Sequence, residues 1–332
     1  MKPGRRRERR RAHRSAWLAA IAVALRWLAA RIRRRELVCI GLTEHFGDLV
    51  AGEPISRRLK ENAPGRVDLV WITSERYAEV PRLFEAVDAV IPVRNLGAWI
   101  ALRPRLLADR VLDLHLHRRR CLSTGWSLDN PPKDPSLHAD NFYDHVNLLG
   151  LQCANAGLEN FDDQPRLRLP LATNMPLPSL PSRYVVFHGR SNETEREWTR
   201  DKWRVLSERL LETEDLVVVE VGTDRPLLAP SARVISLVGQ LTLTQLCAVI
   251  RDCRLFIGVD SGPAHVANAL DVPTLVLMGW YRHYRSYLPY SGRLARDAAS
   301  ALLRHDGPLS DLDVDQVATR AIAVLRAAAS VG

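Results

Sequence analysis

The sequence predicts an α/β protein made of two doubly wound, Rossmann-like domains, and three observations carry that prediction. Residues 255–280, LFIGVDSGPAHVANALDVPTLVLMGW, read as strand, tight turn, helix and strand, one βαβ unit of a parallel sheet. Short apolar runs alternate with helical stretches on both sides of a proline-rich segment at 165–181. The chain has 332 residues, which suits two domains of this kind.

Charge is distributed unevenly. The chain carries +9 overall, but residues 1–35 alone carry +12, so the body carries −3. A slightly acidic body argues against a nucleic-acid partner. Residues 1–14 form a charge run expected to be disordered, and 15–35 a helix with Trp17, Ile21, Ala24, Leu25, Leu28 and Ile32 on one face. The apolar run is too short to span a bilayer, and the arginines directly behind it fit a signal peptide poorly. The segment is therefore expected to lie on an anionic membrane surface and to be removable without loss of the fold. The five cysteines are scattered and form no CxxC pair, which points to buried thiols in a reducing cytoplasm.

The first domain is expected over 36–164. Its strands are read at 37–42, 67–73, 89–93 and 111–116, and its helices at 49–61, 77–87 and 142–149; residues 118–135 are an irregular loop. Residues 165–181 form the linker, and 182–332 the second domain. There, strands at 184–188, 216–221, 234–237, 255–259 and 274–278 alternate with helices at 198–211, 243–252, 264–270 and 313–328.

In parallel sheets of this type ligands bind beyond the carboxyl ends of the strands. Asp260, Ser261, Gly262 and His265 sit at such an end, where Ser261 can cap a helix that has Pro263 in its first turn. Amides at a helix start favour phosphate. Glu44, His45, Gly47 and Asp48 occupy the corresponding place after the first strand, where Asp48 is either a helix cap or a general base. Gly189, Arg190 and Arg196 lie in a polar loop after a strand, and arginine grips phosphate bidentately. Asp224 follows another strand and could bond ribose hydroxyls; Thr242 either caps the next helix or lies near a nucleotide. Residues 280–290, WYRHYRSYLPY, carry five aromatics that either stack on a ligand or pack a loop.

The string D-S-G-P-x-H-x-A-x-A-x-x-x-P-x-x-x-L-x-G from Asp260 resembles the signature of glycosyltransferase family 9, the heptosyltransferase family. Gly47-Asp48 followed by L-V-x-x-x-P resembles that family's amino-terminal motif, with Glu44 and His45 in place of its commoner small residues. The resemblance implies a GT-B fold, two facing domains with a cleft between them. It further implies Asp48 as the catalytic base and Glu44, His45 and Gly47 on the acceptor side. Gly189, Arg190, Arg196, Asp224, Thr242, Asp260, Ser261, Gly262 and His265 then hold the donor, with Arg196 standing where a lysine is usual. The implied reaction is inverting transfer of a heptose-like sugar from a nucleotide-diphospho sugar to a saccharide or lipid-linked acceptor, as in lipopolysaccharide core assembly. The enzyme would work at the inner face of the inner membrane, without metal or other cofactor. Asp311, Asp313 and Asp315 alternate, but at a helix start, where acids serve as caps. The rivals are a nucleotide-sugar epimerase of the same plan and a sugar-binding protein without catalysis. The absence of GxGxxG disfavours a dinucleotide oxidoreductase.

Overall fold

A computed structural model describes residues 3–329 apart from 133, 135, 139, 171–176 and 285–286. It divides into two compact units, Met1–Arg168 and Leu169–Gly332. The division falls inside the proline-rich 165–181 segment, of which 171–176 lie outside the described residues.

The first unit holds a parallel sheet of β1 (Glu36–Gly41), β2 (Val67–Ser74), β3 (Ala89–Val93) and β4 (Arg110–Asp113) in the order β3-β2-β1-β4. β2 is buried along its whole length, as a strand covered on both faces must be. Its helices are α1 (Pro3–Ile32), α2 (Phe46–Ala51), α3 (Glu53–Asn62), α4 (Leu96–Leu102) and α5 (Leu148–Ala156).

The charge run at 1–14, expected to be disordered, belongs to α1. Arginine is a good helix former, and the run is tied down. Glu8 pairs with Arg94, Arg9 Nε donates to the Thr124 carbonyl at 2.8 Å, and Ser15 Oγ accepts from the Arg94 amide at 2.9 Å. Ala12, Ala16, Ala19, Val23 and Ala30 are buried in one core with Trp99, Ile91 and Leu102. These small residues let α1 lie close on the domain. Trp27 packs on the same core, but the other large residues point away: Trp17, Leu18, Ile21, Leu25, Leu28 and Ile32 are all exposed, Ile32 by 78%. The expectation that this segment is removable is therefore overturned.

Four local expectations change. The helix read at 49–61 is two helices broken at Gly52, with Pro54 in the first turn of α3. Residues 77–87 form no α-helix; short 3-10 turns, Glu75–Tyr77 and Pro81–Leu83, stand there instead. The strand expected at 111–116 ends at Asp113. The helix expected at 142–149 begins only at Leu148, capped by Asn147, whose side chain accepts from the Gly150 amide.

The second unit holds β5 (Tyr184–His188), β6 (Val217–Glu220), β7 (Val234–Ser236), β8 (Leu255–Val259), β9 (Thr274–Met278) and β10 (Leu302–Arg304). They form a parallel sheet in the order β10-β9-β8-β5-β6-β7. Its helices are α6 (Arg200–Thr213), α7 (Leu243–Arg251), α8 (Gly262–Ala269), the short α9 (Arg293–Arg296) and α10 (Ala298–Ala301), and α11 (Val314–Ala329). The βαβ unit read from 255–278 is present as β8, α8 and β9. Asp313 accepts from the amides of Asp315 and Gln316, so it caps α11 as expected. All five cysteines are buried thiols; burial pushes Cys39 and Cys253 up to about 12.

Candidate active site

Each sheet reverses its winding at one pair of strands, β1 and β4 in the first unit, β5 and β8 in the second. Such switch points open a crevice at the carboxyl ends of the strands, where ligands of doubly wound folds bind. In both units a histidine bridges the pair.

In the first unit the bridge is His115, just past β4. Its Nε2 accepts the amide hydrogen of Thr43 at 2.8 Å, which requires that nitrogen to be unprotonated. Its Nδ1 therefore carries the proton and donates to Asp113 Oδ1 at 2.7 Å. Asp113 Oδ2 also accepts from Trp99 Nε1 at 2.9 Å. This buried chain fixes the segment leaving β1, which leads to the predicted acceptor-side residues. Glu44 pairs with Arg119, and Arg119 also approaches His45 Nε2 at 3.4 Å. His45 stands at φ 37, a left-handed conformation that glycine would adopt without strain. It precedes α2, so Asp48 is not the helix cap but the third residue of the helix, half-buried, with Gly47 before it. An acid in a first turn is favoured by the helix dipole. Asp113 and His115 escaped the sequence reading, although the alternation D-L-H at a strand end puts both side chains on one face.

In the second unit the bridge is His188 at the end of β5. Ser261 Oγ lies 3.0 Å from His188 Nδ1 and donates its one hydrogen to the Val259 carbonyl at 3.0 Å, so His188 Nδ1 carries the proton. Ser261 is the N-cap of α8, but its side chain makes no capping bond, contrary to expectation. The amides of Ala264 and His265 reach the Ser261 carbonyl, Pro263 has none, and the Gly262 amide has no acceptor within the helix. The anion-binding amides expected at this helix start thus narrow to Gly262.

Beside it, Asp260 is buried and fully engaged. Its Oδ2 accepts from Arg196 Nη1 at 2.9 Å and from Tyr287 at 3.0 Å, and its Oδ1 from Tyr290 at 2.8 Å. Burial works against the Arg196 charge, but Asp260 outweighs it and the guanidinium pKa is raised. The guanidinium stacks on Tyr281, 4.7 Å from the ring centre, and Arg196 Nε is buried without a hydrogen bond among the described residues. Burial, then the Asp260 charge, hold the Tyr287 and Tyr290 hydroxyls well above their ordinary range. The aromatic segment at 280–290 is thus largely a packed loop, with Tyr284, Tyr287 and Tyr290 buried; Arg285 lies outside the described residues.

The other predicted donor residues have structural partners. A side chain at Gly189 would collide with Trp203 and Leu227, so packing alone demands glycine there. Arg190 pairs with Glu197 at 2.9 Å and bonds the Arg225 carbonyl, holding its own loop together. Asp224 is exposed and pairs with Arg225. Thr242 closes a capping box with Gln245 at the start of α7, which favours the capping reading of that residue. The structure gathers Arg196, Asp260, Ser261, Gly262 and His265 at the β5–β8 crevice. Among the described residues no group of three His, Cys, Asp or Glu side chains is placed to hold a metal.

His188 and His265 are both buried, and burial pushes each imidazole down to about 4. In the unfolded chain they titrate near 6.5. The unfolded state therefore binds more protons between these values, and stability falls as pH drops from about 6.5 towards 4, by roughly 1.4 kcal/mol per pH unit for each histidine. Melting temperature measured across that window should show this slope, and His265→Asn should reduce it by about half.

Residues 149–295 match the sequence model of glycosyltransferase family 9, the heptosyltransferase family. Lipopolysaccharide heptosyltransferase 1 of Pseudomonas aeruginosa is 26% identical over 275 residues, 71% of this chain and 77% of the relative. The enzyme of the same name from Escherichia coli K12 is 22% identical over 73% of this chain and 87% of its own length. Over residues 149–295 the chain is similar to glycosyltransferase family 9. Solved structures share its GT-B fold. The family 9 glycosyltransferase of Veillonella parvula superposes with a TM-score of 0.62 at 16% identity, over 89% of this chain and 99% of its own. The E. coli heptosyltransferase WaaC, solved with ADP, gives 0.58 at 20% identity, over 86% and 99%. The matched segment of this glycosyltransferase holds Arg196, Asp260, Ser261, Gly262 and His265.

Proposed function

We propose that this glycosyltransferase moves a heptose-like sugar from a nucleotide-diphospho sugar to a saccharide or lipid-linked saccharide of the lipopolysaccharide core, with inversion and without a metal. The observation that carries the reading is the Arg196 site. A half-buried, permanently charged guanidinium, oriented by Asp260 and Tyr281, is bonded to the residue two before Gly262, whose amide opens α8. Cation and amide supply the fixed positive charge that a departing diphosphate needs. Asp48 accepts the proton of the acceptor hydroxyl as that oxygen bonds to the anomeric carbon. The bond from that carbon to the diphosphate oxygen breaks, and the diphosphate leaves as the anion held by Arg196. The relatives' printed names, an ADP-heptose lps heptosyltransferase II among them, make ADP-heptose the first donor to test.

Thermal stabilisation by a panel of nucleotide sugars tests the donor, since a ligand of the folded state raises its stability. ADP-heptose should shift the melting temperature, and chelator should leave turnover intact. Strict dependence on magnesium would refute the metal-free reading. Arg196→Ala should weaken binding of the nucleoside diphosphate by about tenfold or more while barely affecting the nucleoside, because a charge-assisted bond is worth roughly 1.5–3 kcal/mol. Equal losses for both ligands would remove Arg196 from the phosphate.

The enzyme's place on the inner face of the inner membrane is part of the same proposal. Its support is the outer face of α1, where Trp17, Ile21, Leu25, Leu28 and Ile32 are exposed between arginines at 5–14 and 33–35. Because deletion of α1 disturbs the core, the clean test replaces Trp17, Ile21, Leu25 and Leu28 by serine. That variant should keep its melting temperature and lose flotation with anionic vesicles.

A further inference from the structure

A groove of about 590 Å³ runs between α1 and the end of β3. One wall is cationic, with Arg11 and Arg14 from α1 and Arg94 from the residue after β3. Another is apolar, with Leu18 and Ala22 from α1 and Ile91 from β3. Glu75 is the one acid in the lining. Glu8 neutralises part of the cationic wall by pairing with Arg11 and Arg94. Arg14 makes no ion pair among the described residues, and its side chain is exposed. Charge in the groove is therefore net positive and is concentrated at Arg14. The lining includes none of the residues at either β-strand switch point, so catalysis gives it no role. Leu18 stands at its lip, 62% exposed, next to the apolar outer face of α1.

Arginines above an apolar floor that opens onto an apolar helix face match one chemistry, an anionic head joined to a hydrocarbon chain. We propose that this groove binds the phosphate of an anionic membrane phospholipid, whose acyl chains run out over Leu18 along α1. The proposal rests on the membrane reading of α1 and adds to it a discrete site. A helix that merely lies on a charged surface binds any anionic lipid through diffuse attraction and has no saturable site. The groove predicts one lipid per chain.

The test uses the full chain and dihexanoyl phosphatidylglycerol, kept below its micelle concentration and followed by calorimetry. Saturable binding near one to one is expected, and dihexanoyl phosphatidylcholine, which has no net charge, should bind at least about tenfold more weakly. The double variant Arg11→Ala/Arg14→Ala should lose about tenfold in affinity for phosphatidylglycerol, and Leu18→Asp a comparable factor. All three positions are exposed, so melting temperature should stay at the wild-type value. Arg14→Glu alone, which leaves the Glu8 pairs intact, should act in the same direction. Absence of saturable binding, or equal affinity in the double variant, would overturn the proposal. Inorganic phosphate that competed as well as the lipid would overturn it too, since the site would then read phosphate alone. A concentration-dependent dimer abolished by the serine variant of α1 would assign the apolar face to a second copy and refute the lipid. Failure of the membrane reading is seen separately, as flotation unaffected by the serine variant while monomeric lipid still binds in the groove.

Discussion

Asp48→Asn is expected to lower turnover by at least roughly 10²-fold while leaving donor affinity nearly unchanged. Inverting transfer needs a group to take the proton of the attacking hydroxyl, and asparagine matches aspartate in shape but cannot accept a proton. The structure sharpens the control. Asp48 is the third residue of α2, behind the N-cap residue His45, so the substitution does not remove a cap. The charge it removes is one favoured by the helix dipole, worth about 0.3–1 kcal/mol. A loss of turnover accompanied by a small change in melting temperature would therefore report chemistry. Near-normal turnover in Asp48→Asn, with collapse in Glu44→Gln, would transfer the role to Glu44. Its pairing with Arg119 makes that outcome the less expected one.

Removing residues 1–35 is expected to abolish cooperative folding of the amino-terminal unit. The deletion strips five buried small residues from a core shared with α4 and β3 and exposes Trp99 and Ile91 beneath them. It also removes Arg26, the cation 3.6 Å from Asp68, whose carboxylate is buried on β2 with no hydrogen-bonding partner among the described residues. Stranding a buried charge costs about 3–5 kcal/mol. Whole domains are stable by only about 5–15 kcal/mol, so little margin would remain. Calorimetry should show the loss of one transition, and limited proteolysis should digest the unit first. An unchanged thermogram for the truncated chain would mean that α1 is an appendage after all.

The legible parts of the chain were those set by local pattern. β8, α8 and β9 follow from a buried run, a Ser-Gly-Pro turn and a second buried run, all within 24 residues. Long-range effects were hidden. The arginine run of α1 reads as a solvated tail until Glu8, Arg9 and Ser15 find partners some 80–115 residues away. The helix α4, LGAWIAL, is apolar all round and so has no helical stripe to recognise; its Asn95 cap was the available signal. Residues 77–87 carry Pro81 and only short apolar stretches, and packing resolves them into 3-10 turns. At the site, Asp260 could be named from the sequence because it follows a strand end, and Arg196 because its loop resembles the family's donor-phosphate loop. Their mutual bond, and the Tyr287 and Tyr290 hydroxyls that complete the Asp260 shell, depend on the path of a loop 27–30 residues further on.

The central claim is inverting sugar transfer with an arginine and a helix amide in place of a metal. The most direct measurement is the anomeric configuration of the product, read by NMR after incubating the full chain with ADP-heptose, a lipopolysaccharide-core acceptor and excess chelator. The account predicts a new glycosidic bond of configuration opposite to that of the donor, formed at the same rate with and without chelator. A product that retains the donor's configuration, or transfer that stops when chelator is added, would contradict it.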